Sequence, residues 1–426
     1  MAVISEVPTE ILTEIFYLLC KKFIYVCDLN NSCHKEDFPW AVGLVCRQWR
    51  TAFLSYPPIW ASLMVSDSFS GPPSSESYAK EINRRLALYL ERSMGHPLRL
   101  DITLWSDHKK AFTMMTLEML SACSHRWQTA KLSLLRDWAL DSIHPCKGKL
   151  PTLEWLEIRG AVDRKRARGI FEVAPRLTHA YIGPWAKGSG WILPWTQLTE
   201  LTLKINEKSV IKNGDIPELL PMLHNIKELR FRLNYHQLDF QGGIPQFAPT
   251  PLNQLRVLDV PHPGILSWFE APSLCEIYFT DCEDYHVDEP LDVHGQISSL
   301  IQRSSCRIRK LSFNSGRKLY VGTLKDVEEL VIDYQHFHGV RPSIDLSSLP
   351  KLRLLTISCS VEEDFESLMN SLTTALELAR VPTRSKCSSG TSISLLERVT
   401  VELQEQPTKE LLKVADEWPV VVFQRS

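Results

Sequence analysis

A recurring apolar frame, L-x-x-L-x-L with conservative replacements, is the sequence feature that most constrains how this chain can fold. The frame occurs ten times after residue 150, and successive copies begin 19 to 44 residues apart. The ten copies begin at Leu153, Leu177, Leu198, Ile226, Leu255, Leu274, Ile308, Val327, Leu352 and Leu396. The last two apolar residues of each copy alternate with other residues, which predicts a short strand with one buried face. One unit cannot cover its own apolar face, so we expect neighbouring units to stack into a solenoid.

The spacing of most copies is typical of leucine-rich repeats, whose period is about 20–29 residues. In the fuller repeat pattern an Asn or Cys follows the last apolar position by three. Only Asn206, Asn234 and Cys282 meet this condition. We therefore predict an irregular leucine-rich-repeat-like α/β solenoid, with Pro97–Leu104 and Trp127–Leu134 as degenerate first units.

The residues before this array show helical periodicity instead. The first predicted helix places four apolar residues on one face: Ile11, Leu12, Ile15 and Leu19. A second helix is predicted to begin near Pro39 and to carry Leu44, Val45, Trp49, Ala52 and Phe53 on one stripe. Ser66–Ser77, rich in Ser, Gly and Pro, predicts a domain boundary. The expected organisation is a small helical unit in 1–65, a linker and helix in 66–96, and the solenoid in 97–426, an α+β or α/β fold.

Charge and cysteine usage restrict the class of partner and compartment. Lys and Arg number 48 against 50 Asp and Glu, a net charge of -2, so nucleic acid or an anionic membrane is not an expected partner. The apolar stretch Ile11–Cys27 is interrupted by Glu14, Lys21 and Lys22, which argues against a signal peptide or spanning helix. The 11 scattered cysteines favour a reducing compartment. We expect a cytoplasmic or nuclear location, or both.

No intact catalytic motif is present. The sequence lacks the phosphate-binding loop, dinucleotide-binding, zinc-protease and nucleophile-elbow patterns. Cys27, Cys33 and His34 do not form a complete metal-ligand set. The basic run Asp163–Arg168 is interpreted as a solvated helix rather than a nuclear-localisation or nucleic-acid patch. We therefore predict a chain that is not an enzyme and that needs no metal or cofactor, with an enzyme whose site is unrecognised as a remaining alternative.

The N-terminal unit carries a more specific resemblance. Ile4–Phe16 (ISEVPTEILTEIF), Leu44–Arg50 (LVCRQWR) and Pro58–Trp60 (PIW) together resemble an F-box. The match covers residues 4–64. With the leucine-rich frame that follows it, the chain is similar to F-box proteins of the basidiomycete fungi.

The resemblance implies a docking site for the Skp-family adaptor of a cullin-RING (SCF) ubiquitin ligase. The residues implied to contact the adaptor are Pro8, Ile11, Leu12, Ile15, Leu44, Val45 and Trp49. A unit of about 60 residues forms only a marginal core, so surplus apolar surface is expected to be buried by a partner. The alternative is that the two apolar stripes pack on each other or on the repeats.

Outward positions of the predicted strands give a candidate surface for a target protein. These positions are Arg159, Lys204, Arg230, Arg232 and Tyr278. Four basic residues on neighbouring strands would suit an acidic or phosphorylated segment. A mixed-charge, solvated sheet is the alternative. The predicted function is the substrate-recognition subunit of an SCF-type ligase, and the alternative is a leucine-rich-repeat scaffold that takes no part in ubiquitination.

Overall fold

The computed structural model describes fifteen stretches of the chain. They are residues 7–19, 24–26, 41–66, 76–104, 110–134, 137–160, 169–185, 191–205, 215–233, 247–280, 293–314, 324–333, 349–359, 396–403 and 421–425. The chain divides into two compact units, Met1–Leu198 and Thr199–Ser426.

Unit 1 contains six described helices and six described strands. The helices are α1 (Thr9–Leu19), α2 (Val42–Val45), α3 (Arg47–Ser55), α4 (Glu76–Arg92), α5 (Lys110–Ala122) and α6 (Asp137–Ile143). The strands are β1 (Ile24–Tyr25), β2 (Ser62–Ser66), β3 (Leu98–Leu104), β4 (Trp127–Leu134), β5 (Trp155–Arg159) and β6 (His179–Trp185). All six strands are parallel and pair in chain order. Strands β3 and β4 confirm the strands predicted for the two degenerate repeat units.

The N-terminal segment is not purely helical, which corrects one expectation. Its last apolar residues form a 3-10 turn, Pro57–Ala61, and then strand β2, which pairs with β3. Leu63 and Val65 alternate with more exposed residues along β2 and are fully buried. The same sheet therefore begins before residue 65.

The single helix predicted from Pro39 is also wrong, because the chain forms two helices there. Cys46 has an extended backbone, with φ -159° and ψ 172°, which ends α2 and begins α3. Its Sγ accepts a hydrogen bond from the Trp49 backbone N–H at 3.4 Å, so it takes the place of a polar N-cap. Pro39 itself lies outside the described residues.

Buried hydrogen bonds join helix α5 to the start of strand β4 and to helix α6 in unit 1. Trp127, fully buried at the start of β4, donates its indole N–H to the Leu120 carbonyl at 3.1 Å. The Ser121 hydroxyl of α5 donates to the Ser142 carbonyl of α6 at 2.9 Å. One face of the sheet is left with polar and charged side chains.

Unit 2 repeats this parallel arrangement, with fewer helices among its described residues than unit 1 has among its own. Its strands are β7 (Glu200–Ile205), β8 (Glu228–Leu233), β9 (Thr250–Pro251), β10 (Val257–Asp259), β11 (Phe269–Glu270), β12 (Glu276–Phe279), β13 (Lys310–Asn314), β14 (Glu329–Asp333), β15 (Leu354–Cys359), β16 (Arg398–Leu403) and β17 (Val421–Arg425). Its described helices are α7 (Asp215–Leu219) and α8 (Val293–Ser304). The main sheet runs β7-β8-β10-β12-β13-β14-β15-β16-β17, while β9 and β11 form a separate pair.

The repeated frame explains why these strands form. Every apolar frame position from Leu153 to Val401 is buried except Leu396, which is partly exposed. Aromatic frame residues add to the interior, and the Phe279 and Phe313 rings stack at 5.3 Å between neighbouring strands. The α/β class and the recurrent strand units are therefore confirmed. Several sequence features lie outside the described residues: Asp163–Arg168, Asn206, Asn234, Cys282 and the possible ligands Cys27, Cys33 and His34.

Candidate functional site

Helix α1 has two apolar faces rather than the single stripe that the sequence predicts. Leu12 and Phe16 are 2% and 0% exposed and face the core of unit 1. Ile11, Ile15 and Leu18 are 52%, 44% and 57% exposed and recur at helical spacing on an adjoining face. One face of α1 therefore supports the fold, and the second remains in solvent.

Helix α2 adds two further exposed apolar side chains. Leu44 and Val45 are 56% and 57% exposed, immediately before the break at Cys46. We call the five exposed residues Ile11, Ile15, Leu18, Leu44 and Val45 the α1–α2 patch. Large apolar side chains scattered singly over a surface need no explanation, but five on two short helices that both pack on α3 form a docking candidate.

Contacts between α1 and α3 hold this group of helices together. The Phe16 and Trp49 rings lie 5.1 Å apart, and Gln48 Nε2 donates to the Val7 carbonyl at 3.3 Å. The Tyr56 hydroxyl donates to Glu14 Oε1 at 2.6 Å, and this bond to a carboxylate raises the pKa of Tyr56 to about 12. The part of the patch on α1 is therefore held in a defined position against α3.

The structure separates the seven sequence-predicted adaptor residues into three groups. Pro8, Ile11, Ile15, Leu44 and Val45 are exposed. Trp49 is half-buried, and Leu12 lies in the core, where an approaching partner cannot touch it without unfolding α1. Sequence reasoning missed Leu18, although its position seven residues after Ile11 places it on the same helical face.

The five predicted target-binding residues lie on strands of both units. Arg159 is in unit 1, where it pairs with Glu157 and lies over the Tyr181 ring at 5.3 Å. The other four, Lys204, Arg230, Arg232 and Tyr278, belong to unit 2. Each residue does lie on the polar side of its strand, directly after a buried apolar residue in sequence.

Carboxylates of the sheet neutralise most of these cations. Arg230 Nη2 lies 2.6 Å from Glu228 Oε2. Arg232 Nη1 lies 2.6 Å from Asp259 Oδ2 and also donates to the Thr280 hydroxyl. Lys204 has no ion-pair partner among the described residues. The outward face of unit 2 therefore carries both positive and negative side chains, as in the alternative of a mixed-charge, solvated sheet.

Tyr278 is part of the same polar layer. Its hydroxyl donates to Glu276 Oε2 at 2.8 Å, and the Lys310 ammonium lies 5.8 Å from its ring centre. Burial, followed by the bond to Glu276, raises the pKa of Tyr278 to about 12. The phenol is therefore neutral at physiological pH and acts as a hydrogen-bond donor inside the sheet surface.

Unit 1 contains a cleft of about 780 Å³ that sequence reasoning did not identify. Its lining residues are Arg99, Thr129, Lys131, Glu154, Trp155, Arg176, Thr178 and His179. Arg99, Thr129, Trp155 and His179 are successive partners across β3, β4, β5 and β6, so they form one row on the outward side of the sheet. We call this site the β3–β6 cleft.

The described residues show no metal site and no membrane-spanning helix. No group of three or more His, Cys, Asp or Glu side chains in the described ranges is arranged to hold a metal ion. Likewise, none of the helices that the structure describes combines the length and apolar character needed to cross a bilayer.

Comparisons with known proteins give little further information. No family model and no curated protein matches this chain. Among solved structures, the chain is similar to one titled "Crystal structure of TLR13-ssRNA13 complex", with 12% sequence identity and a TM-score of 0.27. The match covers 88% of this chain and 59% of that chain, so this chain spans about three fifths of its length.

Proposed function

We propose that this chain is the substrate-recognition subunit of an SCF-type ubiquitin ligase, in which the α1–α2 patch binds the Skp-family adaptor. The observation that carries the proposal is the set of five exposed apolar side chains on α1 and α2. Fully burying one such side chain contributes roughly 1.5–3 kcal/mol, so several anchors together support a stable complex. The F-box-like sequence of these helices supports this choice of partner.

The strands that follow are proposed to form a leucine-rich-repeat-like surface that holds a target protein. In this role the chain accelerates ubiquitin transfer by holding the target close to the ligase, and no side chain of the chain takes part in the chemistry. A cytoplasmic or nuclear location belongs to the same proposal. A repeat scaffold outside ubiquitination would share the sheet but would not bind the adaptor.

Co-purification with a Skp-family adaptor tests the proposal. We expect the wild-type chain to bind the adaptor. Ile11→Asp with Val45→Asp should lose on the order of a hundredfold in affinity, because two side chains that the adaptor would bury become charged. Both side chains are more than half exposed, so the thermal unfolding temperature should change little. Leu12 is unsuitable for this test because it lies in the core.

The matched control replaces two exposed apolar residues of unit 1 outside the patch. Val173 and Ile192 are 54% and 43% exposed, and Val173→Asp with Ile192→Asp should leave adaptor binding unchanged. No binding by the wild-type chain would favour the scaffold alternative. Equal adaptor binding by the patch variant and the control variant would show that the α1–α2 patch is not the docking site.

A further inference from the structure

Strand β17 ends the main sheet of unit 2, and one of its two edges has no partner strand among the described residues. On the other edge it pairs in parallel with β16, from Val399 with Val421 to Leu403 with Arg425. An unpaired edge presents backbone N–H and C=O groups that a further strand can bind. We call this surface the open edge of β17.

The features that usually protect a sheet edge are largely missing from β17. Natural proteins protect edges with very short strands, proline, bulges or charges. Strand β17 is five residues long, its sequence VVFQR contains no proline, and its pairing with β16 shows no register shift. Its one charged residue, Arg425, is the last of the five. By contrast, β1 in unit 1 is only two residues long. We therefore expect another strand to cover the open edge of β17.

The row of outward residues that reaches the open edge is uncharged. Strand pairing aligns Val331, Thr356, Thr400 and Val422 across β14, β15, β16 and β17. Val422 is 37% exposed. If a two-fold axis passes beside Val422, a second copy of β17 runs antiparallel to the first and Val422 lies opposite its own copy. No like charges then meet at the axis.

The residue types of β17 favour this position of the axis over the next one along the strand. With the axis at Val422, Val421 comes opposite Phe423 of the second copy, so two apolar residues meet. Val421 is in register with Val399 of β16, which is fully buried. With the axis at Phe423, Arg425 would come opposite Val421, and a charge would enter the apolar row. The strand is therefore self-complementary about Val422.

Charges on β16 favour the same antiparallel arrangement. Arg398 and Glu402 lie two positions before and two positions after Thr400, on the same side of the strand. Arg398 is exposed and has no ion-pair partner in the part of the chain that the structure describes. Glu402 Oε2 accepts a hydrogen bond from Ser358 Oγ at 2.7 Å. The two-fold axis brings Arg398 towards Glu402 of the second copy, three strand spacings or about 14 Å away. Opposite charges therefore face each other twice across the dimer.

We infer that the open edge of β17 pairs with the same edge of a second copy of this chain, antiparallel about a two-fold axis at Val422. One short strand buries little surface, so the dimer dissociates in the micromolar range. The contact lies in unit 2 and uses no residue of the α1–α2 patch. The inference therefore goes beyond the proposed function and does not rest on it.

Sedimentation velocity of the full chain tests this contact. We expect the wild-type chain to change from monomer to dimer between about 1 and 100 µM. Val422→Lys and Val422→Glu should each raise the dissociation constant of the dimer at least about tenfold, because like charges then meet at the axis. An equimolar mixture of the two variants should recover the dimer, since opposite charges pair across the axis. The control, Leu354→Lys, adds a charge at a 39%-exposed position on β15 and should leave the dimer unchanged.

Several outcomes would overturn the inference. A wild-type chain that stays monomeric up to about 100 µM would leave the open edge to a strand of a different protein. A dimer that persists in both Val422 variants would place the contact elsewhere, and an equal loss in Leu354→Lys would reduce the effect to overall charge. Variants that are monomeric alone and do not recover on mixing would show that the substitutions disturb β17 itself. Adaptor co-purification of Val422→Lys should match the wild-type chain, so failure of the dimer and failure of adaptor docking are separate results.

Discussion

Asp259 is a buried carboxylate that gives a structural role to Arg232, a residue that the sequence predicts to bind a target. Its side chain is 3% exposed and is held by Arg232 Nη1 at 2.6 Å and by the Thr280 hydroxyl, which donates to Oδ1 at 2.5 Å. Arg232 belongs to β8 and Asp259 to β10, and Thr280 directly follows β12. Arg232 therefore compensates a buried charge and joins neighbouring strands, and its replacement would disturb the fold before it disturbed any target.

Arg232→Met is expected to destabilise unit 2 by about 2–4 kcal/mol, because it leaves the Asp259 carboxylate buried without its cation. Adding Asp259→Leu should recover most of that loss, since the unpaired charge is then removed. The control is Arg230→Met on the same strand, whose partner Glu228 is 30% exposed, and it should cost about 0–1 kcal/mol. Chemical denaturation of the four proteins measures these differences. Equal costs for Arg232→Met and Arg230→Met would contradict the structural role of Arg232.

At the scale of elements, the hydrogen bond from Tyr56 to Glu14 joins the end of α3 to α1. Because the pKa of Tyr56 is raised from 10 to about 12 in the folded chain, folding favours the neutral phenol. The stabilisation is fully present below pH 10, declines as the pH rises towards 12, and is lost above it. The difference in unfolding temperature between wild type and Tyr56→Phe should therefore shrink over this interval.

Glu14→Gln provides the control for the alkaline transition, because it removes the carboxylate that holds the phenol neutral. The pKa of Tyr56 should then fall towards 10, as followed by phenolate absorbance relative to the Tyr56→Phe protein. An unfolding-temperature difference that stays constant from pH 9 to pH 12 would show that the bond does not stabilise the helices.

The elements also show which parts of the fold a sequence can predict. The strands at Leu98–Leu104 and Trp127–Leu134 were predictable because alternation along a strand specifies burial directly. The break at Cys46 was not, since the apolar pattern from Leu44 to Phe53 is continuous and contains no Pro or Gly. The division of α1 into two faces depends on where α3 packs, which neighbouring residues such as Ile11 and Leu12 do not reveal.

Predicting the candidate surfaces requires the strand register of the sheet as well as the residue pattern. The β3–β6 cleft joins Arg99, Thr129, Trp155 and His179, which are separated by 24 to 30 residues in sequence and meet only through strand pairing. Arg232 showed the outward position that the sequence predicted, but its partner Asp259 lies on another strand. Side-chain partners across a sheet follow from register, and no local pattern supplies that register.

At the scale of the whole molecule, each unit has a buried thiol that reports on its own core. Cys146 in unit 1 is 0% exposed and Cys306 in unit 2 is 6% exposed. Burial raises the pKa of both thiols, which lowers their reactivity in the folded chain. Cys46 in unit 1 is exposed and provides an internal standard for labelling that needs no unfolding.

Brief alkylation at increasing urea concentration, followed by peptide mapping, should therefore modify Cys46 without denaturant and modify Cys146 and Cys306 only when their cores open. In a parallel array most stabilising contacts are made between neighbouring strands. A destabilising substitution is therefore expected to lower mainly the stability of the unit that carries it. Arg232→Met should lower the urea midpoint for Cys306 and leave that for Cys146 nearly unchanged. Equal shifts at both thiols would mean that the two units unfold as one cooperative body, and the loss caused by Arg232→Met would then be a property of the entire chain.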